Sequence, residues 1–310
     1  MMLAKLALLS LTAALTLSAT TTTIDATAVE RSATASTGLE LPEPPSFAEL
    51  ATAAAAPEVM QGFDDLLRTQ INTLFGSENL PLANGTAIRA GVYVTVSPQQ
   101  ALIFDEKIID LQAGVVPPGP ASRECKSGCK TSVWSPFRRV WLQGLEEAQT
   151  YALELPSEVL FGAEASVPAQ TLVELAYAAA ETRPGQPPTF SLLVNGSNAG
   201  LRARPFFLLP PGGMRVAPGE NALALRVSLG AGESWSLSAA HPRFRQQQGS
   251  GWKPLLTSLA QVGKAYPNKG AIIIDVGEDA TVGDLVNTMM AAQKTFSTVI
   301  LTDGFPVRWG

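Results

Sequence analysis

One pattern occurs twice in this chain, and it limits what the chain can fold into. The stretch "SEVLFGAEASVPAQTLVELAYAAAE", residues 157–181, aligns without a gap to "GAIIIDVGEDATVGDLVNTMMAAQK", residues 270–294, at a constant offset of 113. Val159 falls on Ile272, Phe161 on Ile274, Val167 on Ala280, Leu172 on Leu285, Val173 on Val286 and Ala179 on Ala292. A repeat at fixed spacing means that one structural unit is built twice.

The second copy shows what the unit is. Ala271–Val276 is an apolar run rich in β-branched residues, suited to a buried strand. Gly277, Glu278 and Asp279 punctuate it. Thr281 followed three residues later by Asp284 is a version of the capping box, so a helix should start there. Val282, Leu285, Val286 and Met289 recur at spacings of three and four, which puts them on one helical face. Residues 297–302 then return to a strand pattern. Each copy ends on a polar residue plus Gly, "FSLLVNG" at 190–196 and "TVILTDG" at 298–304.

The match extends upstream. "GVYVTVSPQQALIFDEKII" reads as a hairpin turning at Ser97-Pro98-Gln99, and "NALALRVSLGAGESWSLSAA" reads as another with a Gly-rich turn. An amphipathic helix follows in each, "PFRRVWLQGLEEAQTYA" and "KPLLTSLAQVGKAY". The fold class is therefore α+β, with two tandem small ββαβαβ domains over residues 91–196 and 222–310, each with its own core. Between them, residues 197–221 form a Pro/Gly-rich connector in which Phe206, Phe207, Leu208 and Leu209 should be buried against a domain face. Equivalent positions should match in burial, Leu172 with Leu285, while Gln293 should be exposed.

Ahead of the repeats, residues 1–19 resemble a secretory signal peptide: one Lys, an apolar stretch from about Leu6 to Leu17, and small residues where cleavage can follow. An uncleaved anchor is the alternative, but Ser10, Thr12 and Thr16 dilute an apolar run already shorter than the roughly 20 residues that span a bilayer. Residues 20–45 are rich in Thr, Ala, Ser and Pro and read as a flexible tether. Residues 46–90 form a helical segment. Its clearest helix opens at Pro57 and stops at Gly76, with Val59, Phe63, Leu66, Leu67, Ile71 and Leu74 on one broad face.

The order of elements and the wording "LLTSLAQV", "AIIIDVGEDATVGDLVNTMMAAQ" and "STVILTDG" resemble the periplasmic domain of the ExbD/TolR family of biopolymer transport proteins. Residues 91–196 and 222–304 would be tandem copies of it. The resemblance implies a place in the periplasm or secreted space, close to proton-motive-force-linked inner-membrane transport complexes. It implies an envelope protein partner or peptidoglycan as ligand, and it allows a homodimer. Family members carry a membrane helix with a protonatable Asp, a costly group in lipid that does the coupling. Residues 1–19 contain no Asp or Glu.

The chemistry-bearing residues are few. Apolar residues make up 46% and charged residues only 16% with a net charge of −5, so the basic footprint of a nucleic-acid binder is missing. Cys125 and Cys129 are the only cysteines. In an exported chain they most simply form a local disulfide. A metal site would need further ligands, and the single His, His241, lies beside Pro242 in a predicted loop. Asp64 with Asp65 and Glu146 with Glu147 read as helical surface. Asp275, Glu278 and Asp279 lie at a strand-to-helix turn, where they solvate the turn and favour the helix N-terminus. Alternatively they form a polar contact surface for a partner or cell-wall polymer.

No catalytic, cofactor-binding or metal residue is assigned. The reading is an exported, non-catalytic binding or scaffold protein of the cell envelope. The alternatives are a membrane-anchored ExbD/TolR-like transport subunit and a secreted enzyme with an unrecognised site.

Overall fold

The structure, a computed structural model, describes residues 57–309 apart from 90, 105, 151–157, 183–187, 197–199, 217–223, 242–243 and 267–269. The signal-peptide and tether readings lie outside the described residues. The chain divides into two units, Met1–Asp65 and Leu66–Gly310. Among the described residues the first contributes only the opening turns of a helix, and the second holds everything else.

The helix α1 (Pro57–Leu74) is followed by a 3-10 turn at Ser77–Asn79. The chain then builds β1 (Val92–Val96), β2 (Gln100–Ile103), β3 (Glu106–Asp110), α2 (Thr131–Thr150), β4 (Glu158–Ala163), α3 (Ala169–Glu181), β5 (Thr189–Asn195) and β6 (Leu201–Leu208). After β7 (Met214–Val216) come β8 (Leu225–Leu229), β9 (Ser234–Ala239), β10 (Gln247–Ser250), α4 (Trp252–Ala265), β11 (Ala271–Val276), α5 (Val282–Gln293), β12 (Thr298–Thr302) and β13 (Val307–Trp309). The protein is mixed α+β, with five α-helices among the described residues.

The repeat is visible in the topology. Eleven strands form one mixed sheet in the order β10-β9-β8-β11-β12-β6-β5-β4-β1-β2-β3. Read inward from either end, each half is an antiparallel three-strand meander followed by two parallel strands. In the first, β1 pairs β4 and β4 pairs β5; in the second, β8 pairs β11 and β11 pairs β12. Register matches as well. Val92 stands opposite Val159, and Leu225 stands opposite Ile272, the residue 113 positions on from Val159. Because β6 is antiparallel to β5 and parallel to β12, the halves run in opposite directions, as an approximate twofold axis normal to the sheet requires.

The sequence pattern predicts a separate sheet for each copy, and here the structure differs. The connector is not a loop between domains: its residues 201–208 are β6, the strand that joins the halves. Pro205 hides this strand in the sequence, because proline cannot donate to a ladder. It is tolerated because β6 meets β12 only at Phe207 and Leu208, beyond the proline. Strand alternation separates Phe206 from Phe207, and Leu209 lies just past the end of the strand. Phe206 and Leu209 are buried, Leu208 is partly covered, and Phe207 is 51% exposed on the other face. Two further strands, β3 and β10, are not predicted as separate elements, and they lie one at each end of the sheet. Helix α2 begins at Thr131, five residues ahead of the expected Pro136, so the proline sits inside the helix.

Right-handed crossovers between parallel neighbours place α2 and α3 on one face of the sheet, and α4 and α5 on the same face of the other half. The helices touch in the row α2, α3, α5, α4. Their apolar stripes meet the strands: Leu172, Val173, Leu285, Val286 and Met289 are all fully buried. Leu172 and Leu285 thus match in burial, at 0% exposure each.

The opposite face differs between halves. In the first half it is apolar and covered. Gly162 leaves room for Ile71 of α1, whose Cδ1 would lie 3.5 Å from a Cβ there, and Gln70 Nε2 donates to Thr95 Oγ1 (3.2 Å). The position equivalent to Gly162 is Asp275, and the residue equivalent to Tyr93 is Arg226. These two form an ion pair at 2.7 Å on a face shared with Ser228 and Ser236, all partly exposed. The halves therefore differ on this face: one hides it under a helix, and the other presents a polar one.

Candidate binding site at the seam between the halves

The two copies meet at the start of their second helices. Ala169 N donates to Ala280 O (2.8 Å) and Val282 N donates to Val167 O (2.8 Å), with Pro168 opposite Thr281 in an antiparallel bridge. The two bonds are repeat equivalents of each other, Ala169 corresponding to Val282 and Val167 to Ala280, and Pro168 faces its own equivalent Thr281, so the bridge lies on the approximate twofold axis. Thr281 and Asp284 form the capping box expected from the sequence: the Asp284 N–H donates to Thr281 Oγ1 (3.2 Å), and Asp284 Oδ2 accepts from Thr281 N (2.9 Å). Pro168 cannot cap in this way, and α3 takes its first support from the other copy.

Beside this bridge is a cleft of about 440 Å³, lined by Glu78, Leu80, Leu82, Glu164, Ser166 and Asn287 among others. Gly283 N donates to Ala165 O (2.9 Å), closing its floor. The Ser166 hydroxyl donates to Glu164 Oε1 (2.6 Å), and Leu82 stands 67% exposed on the rim. Two carboxylates, the amides of Asn79 and Asn287 and an apolar rim suit a ligand that combines hydrogen-bond donors with apolar surface.

On the other side of the axis, Gln170 and Glu174 take the places of Gly283 and Asn287. Gln170 Nε2 donates to Asp303 Oδ1 (3.4 Å), and Lys130 pairs with Glu174 at 3.2 Å. Asp303 is exposed as a residue, yet neighbouring protein atoms desolvate its carboxyl and Asp275 repels its charge, so its pKa is raised. Tyr177 donates to Leu209 O (2.8 Å) and packs edge-on against Phe305. Burial pushes the Tyr177 phenol well above its ordinary pKa, so it stays protonated. Arg204 lies deeper, 7% exposed, donating to Asn84 O and Gln293 Oε1. Burial lowers its pKa from the usual arginine value. Gln293 is therefore not the free surface residue that its helical position suggests.

The three acidic residues singled out in the sequence stand in two settings. Asp275 is held inside β11 by Arg226, by the Ser228 hydroxyl (3.3 Å) and by Gly304 N–H (3.1 Å). Glu278 and Asp279 project from the following turn and are exposed. Sequence reasoning missed Arg226, whose alternation with buried Leu225 and Val227 marks a half-exposed strand, and Arg204, masked by the connector reading. Cys125 and Cys129 lie at disulfide distance, 2.03 Å between sulfurs, in a loop tied to α3 by Ser127 Oγ donating to Glu181 Oε1 (2.8 Å). His241 packs at 6.3 Å from the Tyr266 ring. Asp65 and Glu146 are exposed; the side chains of Asp64 and Glu147 lie outside the described residues.

Among the described residues no helix is long and apolar enough to cross a membrane, and no cluster of His, Cys, Asp and Glu is placed to hold a metal ion. No known protein family, curated protein or solved structure matches this chain.

Proposed function

We propose that this chain is an exported, non-catalytic binding or scaffold protein of a cell envelope, each half being a diverged ExbD/TolR-like periplasmic domain. What supports the reading is the element order. Each half runs from a hairpin through a helix, a strand and a short turn into a second helix and a final strand, the order the resemblance implies. The observation that carries most weight is the reciprocal bridge on the twofold axis, which joins the two halves. A joined pair of halves suits a scaffold holding one extended or repeating partner, such as peptidoglycan or a transport-complex subunit.

The exposed turn Glu278–Asp279 and the cleft beside Glu164 are the proposed contact surfaces. Co-sedimentation of the purified protein with peptidoglycan sacculi, together with photo-crosslinking from position 279 in cells, tests this. Retention by sacculi, or a crosslink to an envelope protein that is lost on reversing the charge at Glu278, is the expected result. Neither signal, or turnover of a substrate in a broad hydrolysis panel, overturns it.

A further inference from the structure

An eleven-stranded sheet has two edges, and the internal duplication makes them direct controls for each other. Strands β3 and β10 take equivalent places, each pairing antiparallel with the second strand of its own hairpin. An exposed edge offers unpaired N–H and C=O groups to any passing strand, and proteins guard edges with charges, prolines or bulges. Strand β3 is guarded. It carries Glu106, Lys107 and Asp110, its register against β2 is broken at Ala101/Leu102, and Lys107 pairs with Asp110 at 3.0 Å. Strand β10 is Gln247-Gln248-Gly249-Ser250, with no charge, no proline and an unbroken register against β9.

The outward groups can be named. Gly251 N donates to Glu233 O (3.0 Å), and the register places Gly249 opposite Trp235. In an antiparallel ladder the bonds alternate, so Gln247 and Gly249 turn their backbone groups to β9, while Gln248 and Ser250 turn theirs away from the sheet. Both residues are exposed. The rows that end at this edge also set what could continue them. One is Ser228, Ser236, Gln248 on the polar face; the next is Leu229, Trp235, Gly249 on the helix face. At Gly249 the Trp235 ring takes the place of a side chain, since a Cβ there would come within 2.6 Å of the indole.

We propose that β10 is the docking edge for an extended peptide segment of a partner protein, which adds a twelfth strand to the sheet. The segment is uncharged at its centre, with small hydroxyl-bearing residues beside Gln248 and Ser250 and an apolar residue beside Gly249. A peptide fits better than a second copy of this chain. The edge is only about 13 Å long at ~3.3 Å per residue, whereas a stable dimer buries roughly 800 Å² on each partner. The inference rests on the reading of this chain as a binding protein, but not on where it works.

The test uses the purified full-length chain and a fluorescein-labelled peptide, Thr-Val-Ser-Leu-Thr-Val, followed by fluorescence anisotropy and amide hydrogen exchange. Saturable binding is expected, with slowed exchange at Gln248 and Ser250, and none for the same peptide carrying a central proline. Gln248→Pro removes an outward N–H without breaking the β9 ladder, and should weaken binding by roughly tenfold or more. Ser250→Lys, which supplies the guard found on β3, should act in the same direction and serves if the proline variant misfolds. Absence of saturation up to about 1 mM peptide, or binding that neither variant changes, overturns the proposal. So does a concentration-dependent dimer that Gln248→Pro dissociates, because the occupant would then be a second copy. Retention by sacculi without peptide binding sinks this inference alone and leaves the proposed function standing.

Discussion

Leu172→Ala and Leu285→Ala probe whether the halves are one cooperative body. Both side chains are fully buried at equivalent places, each on a second helix facing its own strands. Truncation loses the transfer free energy of the removed carbons and leaves a cavity, together roughly 2–5 kcal/mol. A domain is stable by only about 5–15 kcal/mol, so each single variant should still fold. The pair, at about 4–10 kcal/mol if additive, should stand at the edge of unfolding. Because β6 joins the sheets and α3 packs on α5, both losses should fall on one shared transition. Urea unfolding of single-tryptophan variants provides the assay. Trp134 or Trp141 reports on the first half and Trp235 on the second; all are buried. Leu172→Ala should move both reports to the same lower midpoint. A shift of the Trp134 report with the Trp235 report left in place would refute one-body folding and restore two independent domains.

Gln293→Ala should cost about 1–3 kcal/mol in the same assay, because it strips a buried guanidinium of a side-chain acceptor; a change within ~0.5 kcal/mol, as for ordinary surface residues, would show that Arg204 does not depend on it. Thr281→Ala should lose about 0.5–2 kcal/mol with the capping box, and Thr281→Ser should recover most of that; equal losses would discount the cap. Asp303 has a pKa raised in the folded protein, so its stabilising contribution is present below the ordinary aspartate range and is lost as pH rises through the folded value. Asp303→Asn should therefore stabilise the protein at neutral pH and lose that advantage in acid; unfolding midpoints across pH check the sign, and a variant less stable at neutral pH contradicts it.

The repeat, the strands β11 and β12, the helix α5 and its cap are legible in the sequence because each rests on local chemistry: β-branched runs, spacings of three and four, and a Thr-x-x-Asp cap. The joining of the halves is not. Residues 201–208 carry Pro205 and two arginines, so local preference argues against a strand, and only pairing with β5 over six residues makes one. The short edges β3 and β10 escape for a related reason, since four or five residues are too few to show a periodicity. Asp275 reads as turn surface because its partner Arg226 lies 49 positions away in sequence. The cleft depends wholly on tertiary placement, with Glu78, Glu164 and Asn287 brought together from three separate segments.

Export is the step on which the proposed function stands, and the intact mass of the protein recovered from fractionated cells tests it most directly. The predicted result is a chain found outside the cytoplasm, shorter than the full 32.6 kDa, beginning between Thr20 and Thr27. Its mass should be lower than that of its reduced form by the two hydrogens of a closed Cys125–Cys129 bridge. A full-length chain confined to the cytoplasm with both thiols open to alkylation would contradict export, the bridge and the envelope role together.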